Sequence, residues 1–365
     1  MSLLLDRLSK TYPGRDGHPV RAVLGLDLHV EDGEIVALLG SSGCGKTSTL
    51  RMIAGFESVT AGTITLAGRR IDGQPPDRRG VAMAFEGYAL YPPLTIAENI
   101  GFGLVRDKRG LSREAAAQRV REMAEMLEIA PLLARRPGGL SGGQQQRASL
   151  ARALARDAAL YLLDEPMGQL EPQLRAVLRG RVKAALKSRG CTALLVTHDQ
   201  TEANAMADRI AVMEGGVLQQ YGPPAVLRER PANLFVATFL GEPPMNALAA
   251  KVQPEGLSLA DAAGQCIPLP GVKLPPDGVN VVLGVRPHHL HLGEGPLSGT
   301  VISNQWLGDQ AHVVIELREK IIVAVSHTRV KLRAGERIAF GFRPAHAHIF
   351  DGQTGRALAH GPQPA

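Results

Sequence analysis

The chain has 365 residues, enough for two domains with a substantial core. Hydrophobic residues make up 44% and charged residues 21%, which excludes a disordered chain. The net charge of +6 lies almost wholly in the first 240 residues, with no basic tail and no run of five like charges, so a nucleic-acid partner is not expected.

Asp6 and Arg7 directly follow Leu3-Leu4-Leu5, so no signal-peptide core is expected there. No apolar run approaches the roughly 18 residues that span a bilayer. Cys44, Cys191 and Cys266 are scattered and odd in number, which fits neither a disulfide framework nor a zinc pattern. A reduced, cytoplasmic protein is the expectation.

Residues 2–10 and 22–30 alternate loosely and read as strands. Tyr12 between them is either a flat ring for stacking on adenine or an ordinary half-buried tyrosine. Ile35 to Leu39 is an unbroken apolar run, as a buried parallel strand should be. Gly40-Ser41-Ser42-Gly43-Cys44-Gly45-Lys46-Thr47 follows and fits G-x-x-x-x-G-K-[ST] at every fixed position. Gly40, Gly43 and Gly45 free the backbone to turn successive N–H groups inward as a nest for anionic oxygens. Residues from Thr47 and Ser48 to Ala54 can continue as a helix, whose N-terminus adds donors and a positive dipole end. Lys46 would reach the β- and γ-phosphates, and the Thr47 hydroxyl would ligate Mg²⁺. Cys44, beside Lys46 and a helix N-terminus, has the setting of a reactive thiolate.

Thr63 to Leu66 and Val81 to Phe85 are short strands, and Glu86 follows the second. Ala115 to Leu133 reads as a helix, with Val120, Met123, Met126, Leu127 and Ile129 at core spacing. Leu140-Ser141-Gly142-Gly143-Gln144 then opens another helix. It is a second anion-binding candidate or a plain helix start capped by Ser141. Leu160 to Leu163 is an apolar strand ending in Asp164-Glu165-Pro166. Leu194 to Thr197 is another, with His198 at its end. Open α/β sheets bind ligands at the carboxyl ends of their strands. Paired carboxylates there suit a Mg²⁺-linked acid and a water-activating base.

Pro243-Pro244 marks a linker, after which short strands replace helices: 281–285, 299–303, 312–317, 321–326 and 337–342. Gly284-Val285-Arg286-Pro287-His288-His289 is echoed by Gly341-Phe342-Arg343-Pro344-Ala345-His346, which suggests two pseudo-equivalent halves. His288, His289, His291, His346 and His348 lack a cysteine or clear carboxylate partner, so no metal site is expected among them.

With its loop at Gly40–Thr47, Leu140 to Gln144, Asp164-Glu165 and His198 in this order, the chain resembles the ATP-binding subunit of ABC transporters. Tyr88 to Pro92 and Gly241 to Asn246 resemble stretches of the carbohydrate-uptake importers in particular. The resemblance implies an α/β P-loop NTPase with a RecA-like core, an antiparallel β subdomain and a helical subdomain at about 87–158. It places this ATP-binding domain at 1–240 and an all-β, OB-like accessory domain of the TOBE type at 241–365. It implies ATP and Mg²⁺ as ligands. It also implies two transmembrane permease subunits, a second ATP-binding subunit and, indirectly, an extracytoplasmic solute-binding protein. Location would be peripheral, at the cytoplasmic face of the membrane.

The same resemblance assigns roles. Tyr12, residues 40–48 and Lys46 would hold one ATP, and Ser141, Gly142, Gly143 and Gln144 of the opposite subunit would cap its γ-phosphate. Thr47, Glu86 and Asp164 would serve the metal. Glu165 would polarise the attacking water, and His198 would bond the γ-phosphate. Two places depart from the family: Glu86 stands for the usual glutamine, and Gly168-Gln169-Leu170-Glu171 for Ser-x-Leu-Asp. They keep open a regulatory or weakened subunit that pairs with a different one. A soluble ATPase acting on nucleic acid or ribosomes is disfavoured by the single P-loop and the lack of sustained heptads.

Overall fold

The computed structural model describes residues 1–14, 17–105, 111–259 and 266–362. It comprises two compact units, Met1–Pro224 and Ala225–Ala365. The first begins with β1 (Leu3–Tyr12), β2 (Val20–Val30), β3 (Ile35–Gly40), α1 (Lys46–Ala54), β4 (Ala61–Leu66), β5 (Arg69–Arg70) and β6 (Val81–Ala84). Three helices follow, α2 (Ile96–Gly101), α3 (Arg113–Met126) and α4 (Gly142–Ala155). The chain then returns through β7 (Leu160–Asp164), α5 (Pro172–Ser188), β8 (Ala193–Thr197), α6 (Gln200–Met206), β9 (Arg209–Glu214) and β10 (Val217–Gly222).

One sheet runs β10-β9-β3-β8-β7-β6, parallel except for β10. β3, β7 and β8 are buried along their whole length, which is why they read as continuous apolar runs. The other sheet, β2-β1-β4-β5, is antiparallel. Helix α1 shares one core with both: Leu50, Met52 and Ile53 pack with Leu3, Leu5 and Leu8 of β1 and with Val36 and Leu38 of β3. The loop before α1 is thereby fixed to a helix held by both sheets.

Helix α3 is shorter than its apolar spacing predicts. It stops at Met126, Glu128 turns left-handed at φ +55°, and a 3₁₀ turn at Ala130–Leu132 carries Pro131. Val120, Leu127 and Ile129 are buried, as core positions should be.

Two short helices lead into the second unit, α7 (Pro224–Glu229) and α8 (Leu234–Phe239). Among the described residues these strands follow: β11 (Asn246–Gln253), β12 (Gly256–Leu259), β13 (Cys266–Ile267), β14 (Asn280–Val285), β15 (His291–Trp306), β16 (Ala311–Leu317), β17 (Lys320–Ser326), β18 (Arg337–Gly341), β19 (His348–Asp351) and β20 (Ala357–His360). They form sheets β13-β12-β11-β14-β19-β20 and β17-β16-β15-β18 around one core that includes Leu283, Val313, Ile315, Phe340 and Ile349. The sequence echo is structural. β14 and β18 each run through Arg-Pro into a 3₁₀ turn, Pro287–His289 and Pro344–His346. Among the described residues no helix is long and apolar enough to cross a membrane.

The C-terminus of α1 is held by a side chain that the motifs do not mark. Buried Arg79 donates from Nη1 to the carbonyls of Met52 (2.6 Å) and Ile53 (3.0 Å), from Nη2 to Asp72 (2.9 Å) and from Nε to Gln74 (2.8 Å). Gly55 must be glycine beside it, because a Cβ there would lie 2.6 Å from Arg79 Nε. Arg79→Ala removes these side-chain donors, leaving Met52 with only the Gly55 N–H at 3.3 Å, and should lower stability by about 2–4 kcal/mol, read from urea unfolding of the whole chain. A loss below about 0.5 kcal/mol would remove Arg79 from this role.

Candidate nucleotide site

Parallel register brings the candidate residues to one edge. Leu39 pairs with Thr197, Asp164 with Val196 and Ala84 with Leu163. The loop after β3, His198 after β8, Asp164-Glu165 at β7 and Glu86 after β6 therefore leave neighbouring strands on the same side.

The loop is built as its glycines require. Gly43 and Gly45 lie at φ +80° and +101°. A Cβ on Gly40 would come within 2.2 Å of the Met213 carbonyl, and one on Gly45 within 2.3 Å of that of Ala22. Gly45 caps α1 without a side-chain bond, so the first N–H groups of the helix face outward with Ser41, Ser42 and Gly43 exposed. Lys46 is buried and folds back over the loop, donating to the Gly40 and Ser41 carbonyls at 2.8 and 2.9 Å. Thr47 and Ser48 are half-buried in the first turn, and Ser48 Oγ accepts from the Tyr12 hydroxyl at 3.2 Å. That bond, with Lys10 Nζ 4.7 Å from the ring centroid, fixes Tyr12 beside the helix start. Cys44 corrects an expectation: its Sγ is buried in the α1 core and lies 3.6 Å from Lys46 Nζ, so reagents have no open path to it.

The acids are crowded. Burial first, then the charges of Glu86 and Glu165, raise the Asp164 carboxyl to about 6. Its Oδ1 is buried and has no hydrogen-bond partner. No three His, Cys, Asp or Glu side chains among the described residues are spaced to hold a metal by themselves. This donor set fits Mg²⁺, which takes one or two protein oxygens and completes its shell with phosphates and water. Asp164 and Thr47 are the residues that would hold it.

Glu165 is positioned by its backbone. It lies at φ +47°, a strained value for a residue with a Cβ. Its N–H donates to Val196 (2.9 Å), and its carbonyl accepts from Gln146 Nε2 (2.7 Å) and Gly168 N–H (3.3 Å). Its carboxylate lies 2.8 Å from His198 Nδ1, while the rest of the His198 ring is largely exposed. Acid and histidine thus form one pair at the strand ends.

Ser141 caps α4, accepting from Gln144 N–H at 3.4 Å, while Gln144 Oε1 accepts from Ser141 N–H at 3.0 Å. A Cβ on Gly142 would meet the Tyr88 hydroxyl at 3.1 Å, and one on Gly143 the Gln169 carbonyl at 3.0 Å. This turn therefore packs on Tyr88, two residues after Glu86, and on Gln169 of the second departing stretch. Glu171 opens α5 without a side-chain cap bond; Pro172 takes the first helical position.

Three residues had no part in the sequence reading. Gln146 bridges the Glu165 carbonyl and the Gln169 N–H at 2.7 and 2.9 Å. Arg152, on the same helix, donates to the Ala89 and Tyr88 carbonyls at 2.8 and 3.2 Å. It also borders a cavity of about 440 Å³ lined by Phe56, Met83, Phe85, Tyr91 and Phe102. Glu202 lies buried in α6, its Oε2 accepting from Thr197 Oγ1 at 2.6 Å. Asp199-x-x-Glu202 has the spacing of a helix start, which reads as a surface feature.

Burial raises the Glu202 carboxyl from 4.5 to about 7. A carboxyl raised on folding stabilises fully below its unfolded value and loses that contribution as pH rises through the folded one. Glu202→Gln should therefore gain stability relative to the parent by about 2–3 kcal/mol between pH 5 and pH 8, measured by urea unfolding at both. A difference that does not change with pH would show that Glu202 is ionised throughout.

Residues 23–168 match the ABC transporter family, 283–350 the TOBE domain and 241–290 the MalK OB fold domain. The chain is 38% identical to the sulfoquinovosyl glycerol transport ATP-binding protein SmoE of Agrobacterium fabrum, over 98% of this chain and 99% of that one. It is 40% identical to the sn-glycerol-3-phosphate import ATP-binding protein UgpC of Cereibacter sphaeroides, over 97% and 99%. Among solved structures it resembles the ATP-binding cassette MJ0796 in a dimeric post-hydrolysis state with ADP and Pi. The TM-score is 0.57 at 28% identity, over 60% of this chain and 98% of that one.

Proposed function

The chain belongs to the ATP-binding subunits of ABC transporters, and on that premise we propose that it powers import of a sugar-like or glycerol-phosphate-like solute from the cytoplasmic face of the membrane. The relatives named above, matched end to end, support that solute class. The observation that carries the catalytic reading is the Glu165–His198 pair, set beside an orphaned Asp164 oxygen and a phosphate-binding loop.

Two copies would close on two ATP molecules. Lys46 exchanges its bonds to Gly40 and Ser41 for β- and γ-phosphate oxygens, and Tyr12 stacks on the adenine. Ser141, Gly142, Gly143 and Gln144 of the second copy present the N-terminus of α4 to the γ-phosphate. Mg²⁺ held by Thr47 and Asp164 with the nucleotide would supply neutralisation of phosphate charge. Glu165 takes the proton as water oxygen bonds to the γ-phosphorus and the bond to ADP breaks; His198 keeps the carboxylate aimed and meets the γ-phosphate. The aromatic cavity beside Arg152 is the place for a permease segment.

Glu165→Gln should retain ATP binding, slow hydrolysis by a factor on the order of 10²–10⁴ and accumulate ATP-bound dimers. Parental turnover at saturating ATP would discard the assignment.

A second reading rests on Glu86 and on the uncapped Glu171: the partner would be a different ATP-binding subunit that supplies the usual residues. Glu86 already acts electrostatically on Asp164. If it serves the metal, Glu86→Gln should raise the Mg²⁺ midpoint of ATPase activity about fivefold or more, since a unit charge 4 Å away is worth about 1 kcal/mol even in water. Metal-free nucleotide affinity should stay equal or improve. An unchanged midpoint would favour the heterodimer.

A further inference from the structure

A second lysine lies beside the nucleotide site, and the phosphate chemistry gives it no part. Lys10 precedes Tyr12 by two residues on β1 and is only 5% exposed. Its three ammonium protons have three acceptors: the Ser58 carbonyl at 2.8 Å, Ser58 Oγ at 3.3 Å and Glu57 Oε2 at 2.9 Å. It has none to offer a phosphate. The same Nζ lies over the Tyr12 ring, 4.7 Å from its centroid, while the ring is half-buried and keeps part of its surface accessible.

Backbone pairing gives this end of β1 little support. The last β1–β4 pair is Ser9 with Ala61, and the ladder to β2 shifts register on both sides of Lys10. The segment after α1 supplies the hold instead. Thr60 N–H donates to the Ser9 carbonyl, and Thr60 Oγ1 accepts from Thr11 N–H, both at 3.0 Å. That segment is itself fastened to the last turn of α1, where the Arg51 carbonyl accepts from Phe56 and Glu57 N–H at 2.9 and 3.2 Å. Lys10 therefore ties the strand that carries Tyr12 to one end of α1. The Tyr12 hydroxyl bonds Ser48 at the other end, 3.2 Å away. Ring and phosphate loop are anchored to one helix.

Long lysine side chains ordinarily carry their charge out to water. This one is buried and fixed by three acceptors, so its charge stays on the ring. An ammonium against one face of a phenol ring draws π density toward that face. The opposite face becomes a better partner for an electron-rich base, and the larger π surface of a purine gains most from it. On the reading in which Tyr12 stacks on the adenine, we infer that Lys10 is a positioning and specificity-determining residue for the nucleobase. It holds the Tyr12 ring in line with the phosphate loop and polarises it, so that the open face takes a purine in preference to a pyrimidine.

Calorimetric titration of the full chain without Mg²⁺, where nucleotide is not turned over, separates base from phosphates. The probes are ATP, CTP and inorganic tripolyphosphate, which carries phosphates without a base. Lys10→Met keeps the apolar stem and removes the charge. It should weaken ATP about three- to tenfold, the scale of a partly desolvated cation–π contact, and change tripolyphosphate by less than about twofold. The preference for ATP over CTP should narrow with it. Lys10→Arg keeps a cation over the ring and should restore that preference. Lys10→Met leaves the Glu57 carboxylate unpaired, so Lys10→Met with Glu57→Gln is measured beside it. The double variant buries no unpaired charge and should give the same pattern if the single one does not fold. Equal weakening of ATP and tripolyphosphate would show that Lys10 only braces α1, and would overturn the proposal. Tyr12→Ala tests the premise and should abolish the margin of ATP over tripolyphosphate. If it does so while the Lys10 variants keep that margin, stacking stands and the role of Lys10 falls. If Tyr12→Ala keeps the margin, the stacking reading fails and takes the role of Lys10 with it.

Discussion

Carboxylates held together with too little opposing charge set the terms for the whole nucleotide face: burial and the neighbouring acids outweigh Arg51 and Lys46 at Asp164. The parallel strands β7 and β6 cannot move apart to relieve Asp164 and Glu86, because β7 is buried on both sides and locked in register. The strain appears as an Asp164 carboxyl raised to about 6 and an oxygen without a partner. Folding bears that cost in advance. It is recovered when a metal with its nucleotide meets the acids, beyond the partial relief that Arg51 and Lys46 already give Asp164. A site that is unfavourable alone and satisfied when loaded is a general way to couple binding to conformation.

Helix α4 connects this face to the rest of the first unit. Its N-terminus is capped by Ser141, its side chain Gln146 holds the carbonyl of Glu165, and its Arg152 holds the segment at Tyr88 and Ala89. Tyr88 and Ala89 are themselves at φ +61° and +46°, strained like Glu165. A helix of this length is a strut of about 20 Å. Whatever engages Ser141 acts on the same rigid body that sets the strained backbone of Glu165 and the wall of the aromatic cavity. Communication between nucleotide and cavity needs no longer path than one helix.

The legible parts of the site were those carried by local spacing. Gly40–Thr47 announces itself because three glycines, a lysine and a hydroxyl must be contiguous to enclose a phosphate. Asp164-Glu165 and His198 were legible because apolar strands end on them. Gln146, Arg152, Arg79 and Glu202 were not, since each works on a carbonyl or hydroxyl distant in sequence or hidden by the fold. Gln146 acts on Glu165 and Arg79 on α1, pairings that only tertiary structure creates. Cys44 failed for a related reason: sequence placed it beside Lys46 but could not show that its sulfur turns into the core.

The two units apply opposite signs of one device. In the first, strand ends gather carboxylates around a buried oxygen without a donor. In the second, the echoing turns, the end of α7 and strands β19 and β20 gather guanidinium and imidazole groups around a buried nitrogen without a partner. Neither arrangement arises from packing alone, because apolar side chains of similar volume would fill these places at lower cost. In the first unit the excess charge has an evident counterpart in the metal and nucleotide of an ATPase.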